Sequence, residues 1–268
     1  MEAFCREIGL PEETIRAVLA IDVDPAFRPD CEKLLHEQSW EAGLSELEQQ
    51  LGEDPLGLRM LTAQLRCARN TWAFYERRGL NRRIYADTMA AFSRFVREHR
   101  ESFGAYGFDR AFWTVRQISG TLFRIGELEY ELVRENGEPV LELHIPSDAD
   151  LRLPKLRESW EQARALIADR FPDWKTAPIH CHSWLLSLNL PQLLPETSRI
   201  LAFQRSFALR PSAEAETDMK LWVFKNRDIP TEQLPEQTSL QRSMKAFLLA
   251  GGVFRDGEGF LCDDPFLN

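Results

Sequence analysis

The stretch "ELEYELVRENGEPVLELHIPSDADLRLPKL", residues 127–156, decides how this chain is read, because its pattern changes twice within one loop's reach. Together with the residues before it, "TLFRIGELEYELV" (121–133) alternates apolar and polar side chains with the branched and aromatic content of strands, and "PVLELHIP" (139–146) does the same. Between them, Asn136-Gly137 is the strongest short hairpin signal, since a two-residue type I′ turn needs positive φ at both central positions. If these two are the turn, paired positions sum to 273. Val133 then faces Val140, Glu131 faces Glu142 and Glu129 faces His144, with Cβ atoms of directly opposed residues about 5 Å apart. Glu142 and His144 share one face, and Leu141, Leu143 and Ile145 the other. A carboxylate beside an imidazole holds its tautomer and raises its basicity, so the Glu129–His144 pair is a candidate proton acceptor. The bland alternative is an open polar sheet face, which Glu131 opposite Glu142 favours, because two buried like charges repel.

Beyond the hairpin, "IPSDADLRLPKL" (145–156) leaves the strand and enters a helix expected over Lys155–Ala168. Such a junction presents backbone N–H groups to a ligand. Ser147, Asp148 and Asp150, with Glu127 nearby in the pattern, are candidate substrate-binding residues. Acids repel a phosphate and attract an ammonium, so they point to an amine; capping of the helix is the competing role. A short strand is expected at "PIHCHSWLL" (178–186), with His180, His182 and Trp184 on one face and Cys181 with Ser183 on the other. Then follow an expected helix at 196–209, a strand at 220–224, a helix at 238–251 and a last strand near "GFLC" (259–262). The expected class is α+β.

Upstream, residues 1–108 have a different period. Leu58, Leu61, Leu65 and Trp72, and again Ile84, Met89, Phe92, Phe95 and Val96, recur at helical spacing. Pro11 followed by Glu12 and Glu13 suits a helix start, and "GEDP" and "RRGLN" read as breaks. The expectation is a helical domain over 1–108 and a mixed sheet domain with flanking helices over 109–268.

The totals bound the chemistry. No apolar run in the 268 residues approaches the roughly 18 needed for a membrane helix. Five scattered cysteines without a CxxC argue against a disulfide framework or structural zinc. A net charge of -9 disfavours nucleic acid, although seven arginines lie between Arg59 and Arg83 against one acid, Glu76. A helix face paired with the acidic remainder explains that run as well as a phosphate site does. An acid-bearing N-terminus is unlike a secretory signal, so a cytoplasmic protein is expected.

Taken in order, "FWTVRQISGTLFRIGELEYEL", "HIPSDADL", "CHSWLL", "ILAFQRSF" and "TSLQRSMKAFLLAGG" resemble a bacterial family of acyltransferase-domain proteins. In that family a helical N-terminal domain precedes a GNAT-like C-terminal domain. The resemblance implies a GNAT-type sheet and acyl transfer from acyl-CoA or acetyl-CoA, as co-substrate, to a small-molecule or peptide amine; no metal is expected, because no further ligand spacing supports the histidines. The chain departs from the wider superfamily in two places. "HIPSDADL" stands where a glycine-rich pyrophosphate turn is common, and "ETSRILAFQRSFAL" lacks a tyrosine to protonate the leaving thiolate. On this reading His144, oriented by Glu129, removes the amine's proton; His182 or Ser183 protonates the thiolate; and Arg116 and Arg124 are candidates for the CoA phosphates. A GNAT-shaped binding or regulatory protein without catalysis is one alternative. A metal-dependent hydrolase built on His144, His180 and His182 is another.

Overall fold

The computed structural model describes residues 1–24, 26–27, 29–211 and 219–267, and the chain divides into two compact units, Met1–Arg124 and Ile125–Asn268. The first is helical: α1 (Glu2–Glu7), α2 (Glu12–Asp22), α3 (Trp40–Leu51), α4 (Leu58–Asn70), α5 (Trp72–Arg77), α6 (Arg82–Phe103) and α7 (Ala111–Ser119). The longest, α6, starts where the Asn81 side chain accepts from the Ile84 N–H at 2.9 Å, which satisfies one of the amides a helix start leaves open. Its buried side chains, Tyr85, Met89, Phe92, Phe95 and Val96 among them, follow the helical period. Tyr75 closes this core with its ring 5.1 Å from that of Tyr85 and 5.5 Å from that of Phe123.

α7 was not foreseen. Residues 109–119 look like the approach to the sheet, yet Thr114, Val115, Gln117 and Ile118 are buried on one helix face packed with α3, α4 and α6. The first unit therefore runs past residue 108.

The sheet lies in the second unit except at its first strand, whose residues 122–124 belong to the first. Its strands are β1 (Leu122–Ile125), β2 (Leu128–Glu135), β3 (Glu138–His144), β4 (Ile179–Ser183), β5 (Phe207–Pro211) and β6 (Gly257–Leu261), in the order β1-β2-β3-β4-β6-β5. Asn136 and Gly137 have φ of 51° and 89°, as a type I′ turn requires, and the β2–β3 register pairs Glu129 with His144, Glu131 with Glu142 and Val133 with Val140. The summing rule holds throughout. The continuous run 121–133 is broken by Gly126, at φ 64°, so it supplies two strands instead of one.

From β3 the chain crosses over through α8 (Leu153–Arg170) and returns as β4 parallel to β3, while β6 pairs antiparallel with both β4 and β5. Leu128, Tyr130, Leu141, Leu143, Ile179 and Cys181 are buried on one face of this sheet. On α8, Ser159 is buried with Leu156, Ala163 and Ile167. Its Oγ accepts from the Leu128 N–H at 3.2 Å and lies 3.4 Å from the Tyr130 hydroxyl. Each fully buried Leu or Ile on this face contributes about 1.5–3 kcal/mol. Every side chain one position along points to the other face, which is why the polar residues of β2, β3 and β4 gather there.

Two elements differ from the sequence reading. The helix expected at 196–209 is only α10 (Arg199–Gln204); the chain then extends as β5, where Phe207 to Pro211 pair with β6. Pairing to a waiting edge overrides the local helical pattern. The strand expected at 220–224 is instead helix α11 (Met219–Val223). Met219 and Phe224 are buried in one cluster with Leu190, Leu201, Leu234, Met244 and Phe254, around α9 (Leu190–Leu193) and α12 (Ser239–Leu249). No helix among the described residues is long and apolar enough to cross a membrane.

Candidate active site

The titratable side chains of β2, β3, β4 and β6 gather on one face of the sheet. Register places Glu129 and Glu131 of β2, Glu142 and His144 of β3, His180 and His182 of β4, and Glu258 of β6 on it. It is not the open surface that Glu131 opposite Glu142 suggests. Glu129 is 1% exposed and Glu131 7%. Buried carboxylates need compensation. For Glu131 it comes from the His144 ring, whose Nε2 lies 2.8 Å from Oε2; for Glu142 it comes from His180, whose Nδ1 lies 2.6 Å from Oε1. Glu142 pushes the His180 imidazole's pKa upward through that hydrogen bond, against the opposing effect of burial.

His144 is thus beside a carboxylate, as the sequence suggested, and directly opposite Glu129 in register, but the ring nitrogen is bonded to Glu131, its diagonal neighbour. A long side chain spans the diagonal of an antiparallel ladder. With Nε2–H donating to Glu131, Nδ1 is the nitrogen left with a lone pair.

The loop after His144 brings some of its predicted residues together. Ser147 and Asp148 are exposed in a turn closed by the Ala149 N–H donating to the Pro146 carbonyl at 3.0 Å. Glu127 reaches this loop, its Oε2 accepting from the Asp150 N–H at 2.9 Å. Asp150 accepts from the Arg152 Nε at 2.6 Å, and that guanidinium holds its carboxyl below the usual range. Arg199 is 4.0 Å away on the other side. Asp150 is therefore paired with a guanidinium.

On β4, Ser183 Oγ accepts from the Leu185 N–H at 3.2 Å and caps the short turn Trp184–Leu186, while its O–H remains a donor. His182 is exposed and paired in register with Glu258. Cys181 lies on the apolar face, and burial pushes its thiol's pKa well up, so it is an inert core thiol.

The arginines divide in the same way. Arg66 donates to Asp22 at 2.5 Å, Arg82 to Glu7 at 2.6 Å, and Arg78 lies 4.1 Å above the Phe74 ring. The basic run is spent largely on its own unit. Arg116 stacks 4.7 Å from the Trp113 ring and 5.6 Å from that of Trp40; the Arg124 backbone donates to Thr88.

The three histidines of the hydrolase reading do not converge. Among the described residues, Glu135, Glu142 and His180 approach one another with polar atoms within 4.8 Å, but the nearest contact there is the His180–Glu142 hydrogen bond, and Glu135 is exposed. That is an ion pair, without His144 or His182.

Residues 122–261, which hold this mixed sheet, match one family model, described as the GNAT-like C-terminal domain. The chain belongs to the GNAT-like C-terminal domain family. Residues 1–120 of this GNAT-like protein match a second model, the N-acyltransferase N-terminal domain. Comparison with curated proteins gives no match. Solved structures do. An acyltransferase in complex with decanoyl-CoA and teicoplanin, and one with CoA and 10C-Teicoplanin, are each 24% identical, with a TM-score of 0.80, covering 96% of this chain and 85% of theirs. An acyltransferase in complex with decanoyl-CoA is 25% identical with a TM-score of 0.78 over the same shares. The likeness confirms the two-part fold expected from the resemblance.

Sequence reasoning missed Glu131 as the partner of His144, and the Glu142–His180 pair altogether. The signal for Glu131 was present, because the same register that sets Glu129 opposite His144 puts Glu131 one diagonal away.

Proposed function

We propose that this GNAT-like protein transfers an acyl group from acyl-CoA to the amine of a small molecule or peptide, with His144 taking the amine's proton. The observation that carries the proposal is the His144–Glu131 pair, 2.8 Å apart on a largely buried polar face of a GNAT-like sheet. Acyl-CoA as the donor is supported by acyltransferases of the same fold that hold decanoyl-CoA or CoA.

The steps follow from the side chains. An ammonium docks at the acidic loop through Asp148, Ser147 and Glu127 and loses its first proton to water. The free amine attacks the thioester carbonyl, and its second proton passes to Nδ1 of His144 as the C–N bond forms. Glu131 accepts from Nε2–H and stabilises the imidazolium. When the C–S bond breaks, the CoA thiolate takes a proton from His182 or from the Ser183 hydroxyl, which water refills as His144 gives up the proton it took. Arg116 and Arg124 are the proposed contacts for the CoA phosphates. With its five cysteines free, the protein is suited to the reducing cytoplasm.

The test is incubation of the full chain with decanoyl-CoA and a panel of amines that includes teicoplanin, following free thiol release and acylated product by mass spectrometry. Acylated amine, lost on His144→Ala, is the expected result. Saturable thermal stabilisation by decanoyl-CoA without product from any amine overturns the enzyme reading in favour of a binding protein of the same fold.

A further inference from the structure

Glu131 and Glu142 stand directly opposite each other across β2 and β3, and neither is open to water: their side chains are 9% and 17% exposed. Like charges directly opposed on an antiparallel ladder repel, and that repulsion favours a proton on one of them. A proton on Glu131 would spoil it as the acceptor for His144. On the other side of Glu142, one strand further along, His180 closes a line of four groups: His144, Glu131, Glu142, His180, held by contacts of 2.8 Å at one end and 2.6 Å at the other. The His180 ring is 15% exposed, sits 4.9 Å from the Phe260 ring, and has Glu258 4.0 Å from its second nitrogen. Other charged groups on this face are Glu129 and Glu135 of β2, Glu138 of β3, His182 of β4 and Arg210 of β5, the last 5.7 Å above Phe260. Glu135 and Glu258 act on His180 in the same direction as Glu142.

We infer that His180 is a positioning residue for His144, acting through the two carboxylates. Its ring, hydrogen-bonded to Glu142, draws that carboxylate's charge away from Glu131, which remains an acceptor for the His144 ring. His180 does not touch the reacting atoms. The inference rests on the role proposed above for His144, but its first test needs no turnover.

That test is ring-¹⁵N NMR of the full chain across pH 5–9, for wild type, His180→Gln, His180→Lys and Glu142→Gln. In wild type the His180 ring titrates with a midpoint above that of an exposed histidine. Glu142→Gln lowers that midpoint. In His180→Gln the ring that draws charge from Glu142 is gone, so the line takes up its next proton at a pH about 0.5 unit higher, read at the His144 ring. His180→Lys restores the wild-type curve. With decanoyl-CoA and an accepted amine, the acid limb of kcat/KM moves in the same direction in His180→Gln. A wild-type His180 midpoint at or below that of an exposed histidine overturns the inference, as does a folded His180→Gln whose His144 curve has not moved. If His180→Gln does not fold, the wild-type and Glu142→Gln midpoints decide. If no amine is acylated, the proposed function fails while the NMR result still stands.

Discussion

His144 receives its carboxylate from two residues further along β2 than the directly opposed position, and that displacement makes the two glutamates separable by mutation. Glu131→Gln keeps the shape and loses the charge, so the imidazolium formed during turnover goes unsupported; kcat is expected to fall about tenfold or more, with the KM for acyl-CoA little changed. His144→Ala removes the proton acceptor itself, and a loss of about 10²–10⁴ in kcat is expected, with decanoyl-CoA binding retained by calorimetry. Equal losses in binding would mean that these side chains hold the donor instead of moving a proton. Gly257 makes a purely steric case at the same scale. A Cβ there would stand 2.0 Å from the Leu186 carbonyl oxygen, backbone that cannot swing aside. Gly257→Ala should destabilise the second unit by more than about 2 kcal/mol, read as a lower Tm, because β6 must move away from the turn that follows β4.

Among the elements, the β2–β3 hairpin was the most legible in sequence, because its turn and its two faces are set by short-range rules. Gly137 has φ of 89° with open space where a Cβ would go, so Gly137→Ala meets no clash and only backbone strain. A cost of about 1 kcal/mol is expected by denaturant titration, with the register unchanged by NMR. α4, α6, α8 and α12 were legible for a similar reason, since each shows its own period. β5 and α11 were not. Phe207 extends because β6 lies beside it, and Met219 turns into a helix because a cluster made of residues 190–254 receives it. Neither cause is visible within a window of ten residues. The site divides along the same line: His144 and the acidic loop sit within the hairpin's reach, whereas His180 joins them only through the parallel β3–β4 pairing, which α8 must first bring about.

For the whole molecule, the shifted groups predict how stability follows pH. A group whose folded pKa is raised contributes stability that is full below its unfolded value and is lost as pH rises through the folded one. His180 is such a group, so part of the second unit's stability is present in full below about pH 6.5 and is lost as the pH climbs through the higher folded value. The buried thiols and phenols repeat the pattern at higher pH. Burial lifts the Cys5 pKa from 9.0 to about 11 and that of Tyr85 from 10.0 to about 12, and it raises those of Tyr75, Tyr130 and Cys181 as well. Cys5, Tyr75 and Tyr85 belong to the first unit and Tyr130 and Cys181 to the second, so both should weaken from about pH 9, whereas the loss near neutrality through His180 belongs to the second. Hydrogen exchange resolved along the chain at pH 6, 8 and 10, corrected for intrinsic exchange, separates the two steps. Faster opening at pH 8 than at pH 6 should be confined to residues after 125 and vanish in His180→Gln, and Cys5→Ala should reduce the further loss at pH 10 in the first unit. Uniform opening of both units between pH 6 and 8 would show that the imidazole–carboxylate line does not set the stability of the sheet.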